Sequence, residues 1–181
     1  MAVVNYLGSP VQTAGALPAV GRPCPPFTLV RPDLGDLTLP DLQGRRVILN
    51  IFPSLDTPVC AKSVYTFDIH ADEVPAMTVV CVSMDLPFAQ KRFAEEHLIE
   101  KVQMASAFRN PEFGHDFGVL MLDGPLQGLL ARAVVALDEN GTVVHTELVP
   151  ELACEANYDL AMDLLFEHHR PCPEDALLTS E

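Results

Sequence analysis

Apolar and polar residues are distributed along the chain in a pattern that predicts alternating strands and helices. Two unbroken apolar runs, at residues 47–52 and 77–84, are typical of strands buried on both faces inside a sheet. Apolar residues at helical spacing follow the first run, and Pro58 and Pro87 suit the first turns of two helices. The order strand, helix, strand, helix predicts an α/β fold.

Shorter elements are predicted on both sides of this central unit. They are an N-terminal hairpin over about residues 3–20 that turns at Gly8-Ser9-Pro10, strands at 27–30, 37–39 and 104–107, a short helix at 111–116, strands at 131–137 and 143–148 joined by a turn at 138–141, and a last helix at 157–168. The predicted architecture is a mixed central sheet flanked by helices. Residues 1–170 are expected to form one domain, and residues 171–181 a mobile tail.

Composition narrows the possible partners and location. The chain has 181 residues, and its net charge of −14 argues against a nucleic-acid or anionic membrane surface as partner. Its longest apolar runs are too short to cross a bilayer. The first residues lack the basic and apolar regions of a signal peptide, so we expect a cytoplasmic protein.

The cysteines are odd in number and widely spaced, at positions 24, 60, 81, 154 and 172. Without a C-x-x-C pair, neither a disulfide framework nor a tetrahedral zinc site is expected. His168, His169 and Cys172 come closest to a ligand cluster, and we interpret them as a helix end running into the tail. No metal or other cofactor is predicted.

One cysteine is presented by an unusually stiff segment, "FPSLDTPVC", at residues 52–60. Thr57 is a suitable helix N-cap and Pro58 a suitable first helical residue, which places Cys60 in the first turn. Free main-chain amides and the positive end of the helix dipole favour a thiolate there. From these residues alone, a buried structural cysteine is an equally good interpretation.

The spacing Pro53-x-x-x-Thr57-x-x-Cys60 resembles the active-site loop of the peroxiredoxins. Together with "DLPFAQKRF", "AFRNPEFG" and "DGPLQGLLARAVVALDENG", it is similar to the thiol peroxidase subfamily from about residue 3 to residue 168. This resemblance implies a thioredoxin-like fold with an N-terminal β-hairpin extension.

The resemblance also implies a role for each site residue. Cys60 matches the peroxidatic cysteine, Thr57 the hydroxyl that orients the peroxide, and Pro53 the proline that shields the pocket from water. Arg132 matches the arginine that supports the thiolate and the peroxide. An arginine in an apolar strand needs an anionic partner, and from the residues alone an ordinary ion pair with a carboxylate is the leading interpretation.

The activity implied is that of a thiol-dependent peroxidase in antioxidant defence. It would reduce hydrogen peroxide and organic hydroperoxides through a cysteine sulfenic acid, with thioredoxin as reductant, as a homodimer packed near the active-site loops. Two alternatives stay open: a redox-sensing or holdase-like binding protein on the same fold, and a one-cysteine peroxidase that uses a thiol other than thioredoxin.

The chain departs from the subfamily pattern at Ala94, where the atypical two-cysteine type usually carries its resolving cysteine, directly after "RF". Three explanations compete: an introduced Cys→Ala change, a natural one-cysteine mechanism, and a resolving cysteine at another position. Cys81 is expected in the core, whereas Cys154 and Cys172 fall in or after late loops. We expect no intramolecular disulfide at Cys60.

Overall fold

The computed structural model describes residues 1–71 and 77–167, and its elements alternate as predicted. The strands are β1 (Val3–Tyr6), β2 (Ser9–Gln12), β3 (Thr28–Val30), β4 (Asp36–Thr38), β5 (Arg46–Ile51), β6 (Met77–Ser83), β7 (Gln103–Ser106), β8 (Ala133–Leu137) and β9 (Val143–Leu148). The α-helices are α1 (Pro58–His70), α2 (Pro87–His97), α3 (Glu112–Asp116) and α4 (Tyr158–Glu167). A 3₁₀ turn over Leu39–Leu42 follows β4.

A mixed seven-stranded sheet forms the centre, in the order β4-β3-β7-β6-β5-β8-β9. Strand β5 pairs in parallel with β6 and antiparallel with β8, and every one of its residues is buried. An unbroken apolar run suits this position because both faces of the strand are covered. The predicted α/β class with a mixed sheet and an N-terminal hairpin is confirmed.

Two hydrophobic cores lie on opposite faces of the sheet. One contains Phe67 of α1, Phe93 of α2 and Leu165 of α4, and it also contains Cys60. The other contains residues of the N-terminal hairpin and of α3. The sheet therefore separates the α1 side of the molecule from the hairpin side.

The hairpin turn lies at Leu7-Gly8, so the predicted turn at Gly8-Ser9-Pro10 is wrong by about one residue. A two-residue turn that fits the strand twist needs positive φ at both positions, and Leu7 and Gly8 have φ of 51° and 79°. The carboxylate of Glu151 accepts hydrogen bonds from both turn amides, at 3.2 Å and 3.1 Å. These hydrogen bonds from a residue distant in sequence offset the conformational free-energy cost of the positive φ at Leu7.

The start of β8 and the C-terminal end of the described chain bear on two further predictions. Arg132 lies directly before β8, which begins at Ala133, whereas the sequence placed it inside the strand. Helix α4 is described as far as Glu167, so the predicted boundary at residue 170 and the predicted tail at 171–181 lie outside the described residues. Within the described residues, no helix is long and apolar enough to cross a membrane.

The strand pairing brings four loops to one edge of the sheet. Ile51 at the end of β5 lies between Val82 of β6 and Ala133 of β8, and Ala133 in turn pairs with Leu148 at the end of β9. The loops that follow β5, β6 and β9 therefore meet the loop that precedes β8. Cys60, Thr57 and Arg132 belong to these loops or their borders.

Candidate active site

Cys60 lies in the first turn of α1, as predicted. Thr57 has the extended backbone of an N-cap (φ −112°, ψ 141°) and Pro58 is the first helical residue. Proline suits this place because its fixed φ matches the helix and its missing N–H is not needed. The Cys60 side chain is fully buried.

The Thr57 hydroxyl contacts the sulfur rather than capping the helix. Its Oγ1 lies 2.7 Å from Cys60 Sγ and 3.1 Å from the carbonyl oxygen of Ser54. A hydroxyl has one proton, so it donates to only one of these acceptors at a time. With a thiol, the S–H donates to Thr57 Oγ1 and the hydroxyl to Ser54; with a thiolate, the hydroxyl turns to the sulfur.

Arg132 approaches the sulfur from the start of β8. Its Nη2 donates to Cys60 Sγ at 3.3 Å, and its Nε and Nη2 donate to the carbonyl oxygen of Leu152 at 3.3 Å and 3.1 Å. Only 2% of the side chain surface is exposed. Across residues 1–71 and 77–167 no carboxylate forms an ion pair with Arg132. Its nearest anionic partner is therefore the thiolate form of Cys60.

A cleft of about 270 Å³ opens over this group. Thr57 and Arg132 line it together with Pro53, and its other walls are largely apolar: Tyr6, Ser54, Pro58, Val59, Leu126, Leu129, Leu152 and Ala153. A small molecule that touches Thr57 and Arg132 there lies next to the Cys60 sulfur, because both side chains contact it. The structure thus brings all four sequence-predicted site residues together.

Asp85, which the sequence reasoning missed, holds the approach to Cys60 in place. Its carboxylate accepts hydrogen bonds at 2.8 Å from the Ser54 hydroxyl, the Leu55 amide and the Ser83 hydroxyl. Asp85 lies two residues after the end of β6, the parallel neighbour of β5. A polar residue just after a buried parallel strand was the available signal, because such strand ends share one edge of the sheet.

Two other cysteines, Cys24 and Cys81, are buried, and their thiols are expected to react slowly. Burial raises the pKa of the Cys24 thiol to about 12, and burial likewise raises the pKa of Cys81 to about 12. Cys24 belongs to the core on the hairpin side, and Cys81 accepts a 3.6 Å contact from the Asn50 amide within β5. Cys154, by contrast, is exposed.

These environments predict a clear order of alkylation. At pH 8 a thiol of pKa about 12 is ionised in only about one molecule in 10⁴, and the thiolate is the form that reacts. Iodoacetamide is therefore expected to modify Cys154 within minutes and to leave Cys24 and Cys81 unmodified until the protein unfolds. Peptide mapping with and without denaturant measures this. Rapid native labelling of Cys24 or Cys81 would contradict it.

Ala94 lies in α2, partly buried against the core that contains Cys60. Its methyl group can neither attack nor bind a sulfur oxidised at Cys60. In the part of the chain that the structure describes, no three His, Cys, Asp or Glu side chains are grouped as a metal site would need. The candidate cluster of His168, His169 and Cys172 lies outside the described residues.

Known proteins share both this sequence and this fold. Residues 19–161 match the model of the redoxin family. The chain is 54% identical to the thiol peroxidase of Mycobacterium tuberculosis over 165 residues, which cover 91% of this chain and 99% of that protein. The chain belongs to the redoxin family. Within it, this chain is a peroxiredoxin-type thiol peroxidase, as the resemblance of its motifs implied.

Two further comparisons agree with this membership. The thiol peroxidase of Corynebacterium glutamicum is 47% identical over 165 residues, or 91% of this chain and 99% of that protein. The crystal structure of a peroxiredoxin-like protein from Aquifex aeolicus has a TM-score of 0.86 at 39% identity, covering 91% of this chain and 96% of that chain. The match to the family model, over residues 19–161, includes the seven-stranded sheet and the loops around Cys60.

Proposed function

We propose that this thiol peroxidase reduces hydrogen peroxide and organic hydroperoxides in antioxidant defence, with Cys60 as the peroxidatic residue. The observation that carries the proposal is the buried Cys60 sulfur held between two donors, the Thr57 hydroxyl and the Arg132 guanidinium. These donors stabilise negative charge on the sulfur, and both also line the cleft through which a peroxide enters.

The chemical step is a displacement on oxygen. The Cys60 thiolate attacks one peroxide oxygen, an S–O bond forms as the O–O bond breaks, and Cys60 becomes a sulfenic acid. The departing oxygen leaves as water or an alcohol after taking a proton. Nη1 of Arg132 is buried without a partner among residues 1–71 and 77–167, so it is free to donate a hydrogen bond to that oxygen.

The cleft favours substrates with an apolar group beside the peroxide. Tyr6, Leu126 and Leu129 line it together with Pro53, which we propose shields the sulfur from water. Apolar surface binds an alkyl or aryl group and excludes water from the reacting atoms. Organic hydroperoxides are therefore proposed as substrates alongside hydrogen peroxide.

Thr57 is proposed to orient the peroxide through its hydroxyl. A Thr57→Val variant keeps the shape of the side chain but loses the donor, and we expect kcat/KM for hydrogen peroxide to fall by about 10²-fold. Thr57→Ser keeps the hydroxyl and is expected to stay within about tenfold of wild type. Steady-state kinetics of both variants measure this. Equal activity of the Val and wild-type proteins would contradict the role.

The remaining steps concern the partner thiol and the assembly. Ala94 stands where an atypical two-cysteine enzyme has its resolving cysteine, so we propose that another thiol condenses with the sulfenic acid and that thioredoxin closes the cycle.

Homodimerisation near the active-site loops is supported by exposed apolar residues at this edge, Leu86, Phe88 and Phe108. A cytoplasmic location is proposed because the cysteines are odd in number, widely spaced and without a C-x-x-C pair, which does not fit a secreted disulfide framework.

We further propose that residues 1–170 act as one domain. Both hydrophobic cores pack on the same seven-stranded sheet, and the N-terminal hairpin is tied to the loop after β9 through Glu151. No second sheet with a core of its own occurs among the described residues.

Steady-state turnover tests the proposed function. Protein, thioredoxin, thioredoxin reductase and NADPH are mixed with hydrogen peroxide or cumene hydroperoxide, and NADPH loss is followed. A peroxidase consumes many equivalents of peroxide per chain, whereas a redox sensor or holdase on this fold stops after about one. Replacement of thioredoxin by glutathione or dithiothreitol distinguishes a peroxidase that depends on another thiol.

A further inference from the structure

Cys154 is the exposed cysteine of the described residues; Ala153 before it lines the cleft over Cys60, and Glu155 after it pairs with Lys62 of α1. We propose that Cys154 is the resolving cysteine of this protein and forms an intramolecular disulfide with oxidised Cys60. The inference rests on the proposed function of Cys60. It also replaces the expectation, drawn from the sequence, that Cys60 forms no intramolecular disulfide.

The residues just before Cys154 make the first contact between its loop and the Cys60 site. A single nitrogen, Nη2 of Arg132, lies 3.3 Å from Cys60 Sγ and 3.1 Å from the carbonyl oxygen of Leu152. Cys154 follows Leu152 by two residues, and Ala153 between them lines the cleft. Because two residues span at most about 7 Å, the Cys154 backbone lies close to the rim of the active site.

The residue just after Cys154 makes a second contact, which joins its loop to helix α1. The carboxylate of Glu155 pairs with Nζ of Lys62 at 2.7 Å, and Lys62 lies in α1 two residues after Cys60. The Cys154 loop is thus joined to the helix that carries the peroxidatic sulfur. Both side chains are substantially exposed (63% and 40%), so the pair guides the two segments together without locking them.

The Cys154 loop is itself held in place from the other side. Glu151 binds the hairpin turn through its carboxylate, and the amide of Leu152 donates to the carbonyl oxygen of Asn5 at 2.9 Å. These hydrogen bonds fix the position of the Cys154 loop relative to the cleft. Arg132 supplies an independent sign of a site here, since its side chain is 98% buried, lines the cleft and leaves Nη1 without a partner among the described residues.

The other described cysteines are poorly placed to resolve Cys60. Cys24 belongs to the core on the opposite face of the sheet. Cys81 lies in β6, which is paired on both sides with β5 and β7, and it is fully buried. Cys81 shares the core that contains Cys60, but it is fixed in the central strand β6, so a disulfide to it would require the sulfenic acid to move towards the sheet. A disulfide to Cys154 requires it to move outward.

Outward movement of Cys60 is made easier by the start of α1. A disulfide needs its two Cα atoms within about 7 Å, so the turn that carries the fully buried Cys60 has to unwind. Thr57 makes no side-chain capping bond, because its hydroxyl is directed to Ser54 and Cys60. The first turn therefore lacks the stabilising hydrogen bond that an N-cap side chain can supply.

The reaction balances without a further oxidant. The Cys154 thiolate attacks the sulfur of the Cys60 sulfenic acid, an S–S bond forms, and the S–O bond breaks. The hydroxide that leaves takes up the proton released by Cys154 and departs as water. Two electrons have passed from the two thiols to the peroxide, and a dithiol such as reduced thioredoxin can then reduce the disulfide.

Mass spectrometry of the oxidised protein tests the inference. Fully reduced wild type, Cys154→Ser and Cys172→Ser each receive one equivalent of hydrogen peroxide, then dimedone to trap sulfenic acid and an alkylating agent to block thiols. We expect a Cys60–Cys154 cross-linked peptide at monomer mass in wild type and in the matched control Cys172→Ser. In Cys154→Ser, the Cys60 dimedone adduct is expected to rise by at least about tenfold.

Each alternative result has a distinct meaning. Equal dimedone trapping in wild type and Cys154→Ser, or a Cys60 cross-link to Cys172, would overturn the resolving role and leave the peroxidatic role of Cys60 intact. Unmodified Cys60 with unconsumed peroxide in all three proteins would overturn the proposed function itself. Peroxide loss, measured separately in the same mixtures, distinguishes these two failures.

Discussion

A Cys60→Ser variant is expected to lose peroxide reduction by at least about a thousandfold. Serine keeps the size and position of the side chain, but an alcohol needs a general base to become a nucleophile. The groups that contact the sulfur are a hydroxyl and a protonated guanidinium, and neither is a base that could take a proton from serine at neutral pH. The loss is expected in kcat/KM for hydrogen peroxide and for cumene hydroperoxide alike.

A Cys24→Ser variant is the matched control for this loss. Cys24 is also buried, yet it lies in the core on the other face of the sheet. We expect it to lower thermal stability while kcat/KM stays within about twofold of wild type. Retention of more than about a tenth of the wild-type kcat/KM by folded Cys60→Ser protein would remove Cys60 from the mechanism.

An Arg132→Met variant is expected to lower kcat/KM by about 10²- to 10³-fold. Methionine fills much of the space but donates no hydrogen bond to the Cys60 sulfur or to the peroxide oxygen. Arg132→Lys restores the charge, but one ammonium group cannot reproduce the fork that reaches both Cys60 and the Leu152 carbonyl. Its activity is expected to fall between those of Met and wild type.

Arg46 provides the control for replacing a buried arginine. It is as deeply buried as Arg132, with 2% of its surface exposed, but it pairs with Glu139 through Nε and Nη2 at the far end of β5. Arg46→Met is expected to cost about 1–3 kcal/mol in the free energy of unfolding and to leave kcat/KM nearly unchanged. Stopped-flow kinetics and thermal unfolding of both variants separate the two effects. An equal drop in kcat/KM for both would assign Arg132 a structural role only.

Local sequence was sufficient to place Cys60. The relation between Thr57, Pro58 and Cys60 depends only on where one helix begins, and an N-cap candidate followed by proline marks that point. The buried strands β5 and β6 were equally predictable, because an unbroken apolar run needs cover on both faces. The α/β class followed from their order.

Long-range contacts were not predictable in this way. Arg132 reaches the sulfur because Ala133 of β8 pairs with Ile51 of β5, and that register is not encoded in the alternation of either strand. Only the family resemblance placed Arg132 at the site before the structure did. The carboxylates of Asp85 and Glu151 bind main-chain amides of distant loops, and such bonds leave no periodic pattern.

The most direct test of the peroxidatic role of Cys60 is a single turnover of the reduced protein with hydrogen peroxide, followed by peptide mapping. We expect consumption of one peroxide per chain, with Cys60 recovered either as a trapped sulfenic acid or in a disulfide. We expect no consumption by Cys60→Ser. Consumption of peroxide while Cys60 is recovered as a free thiol, or no consumption by the wild-type protein, would show that Cys60 is not the peroxidatic residue.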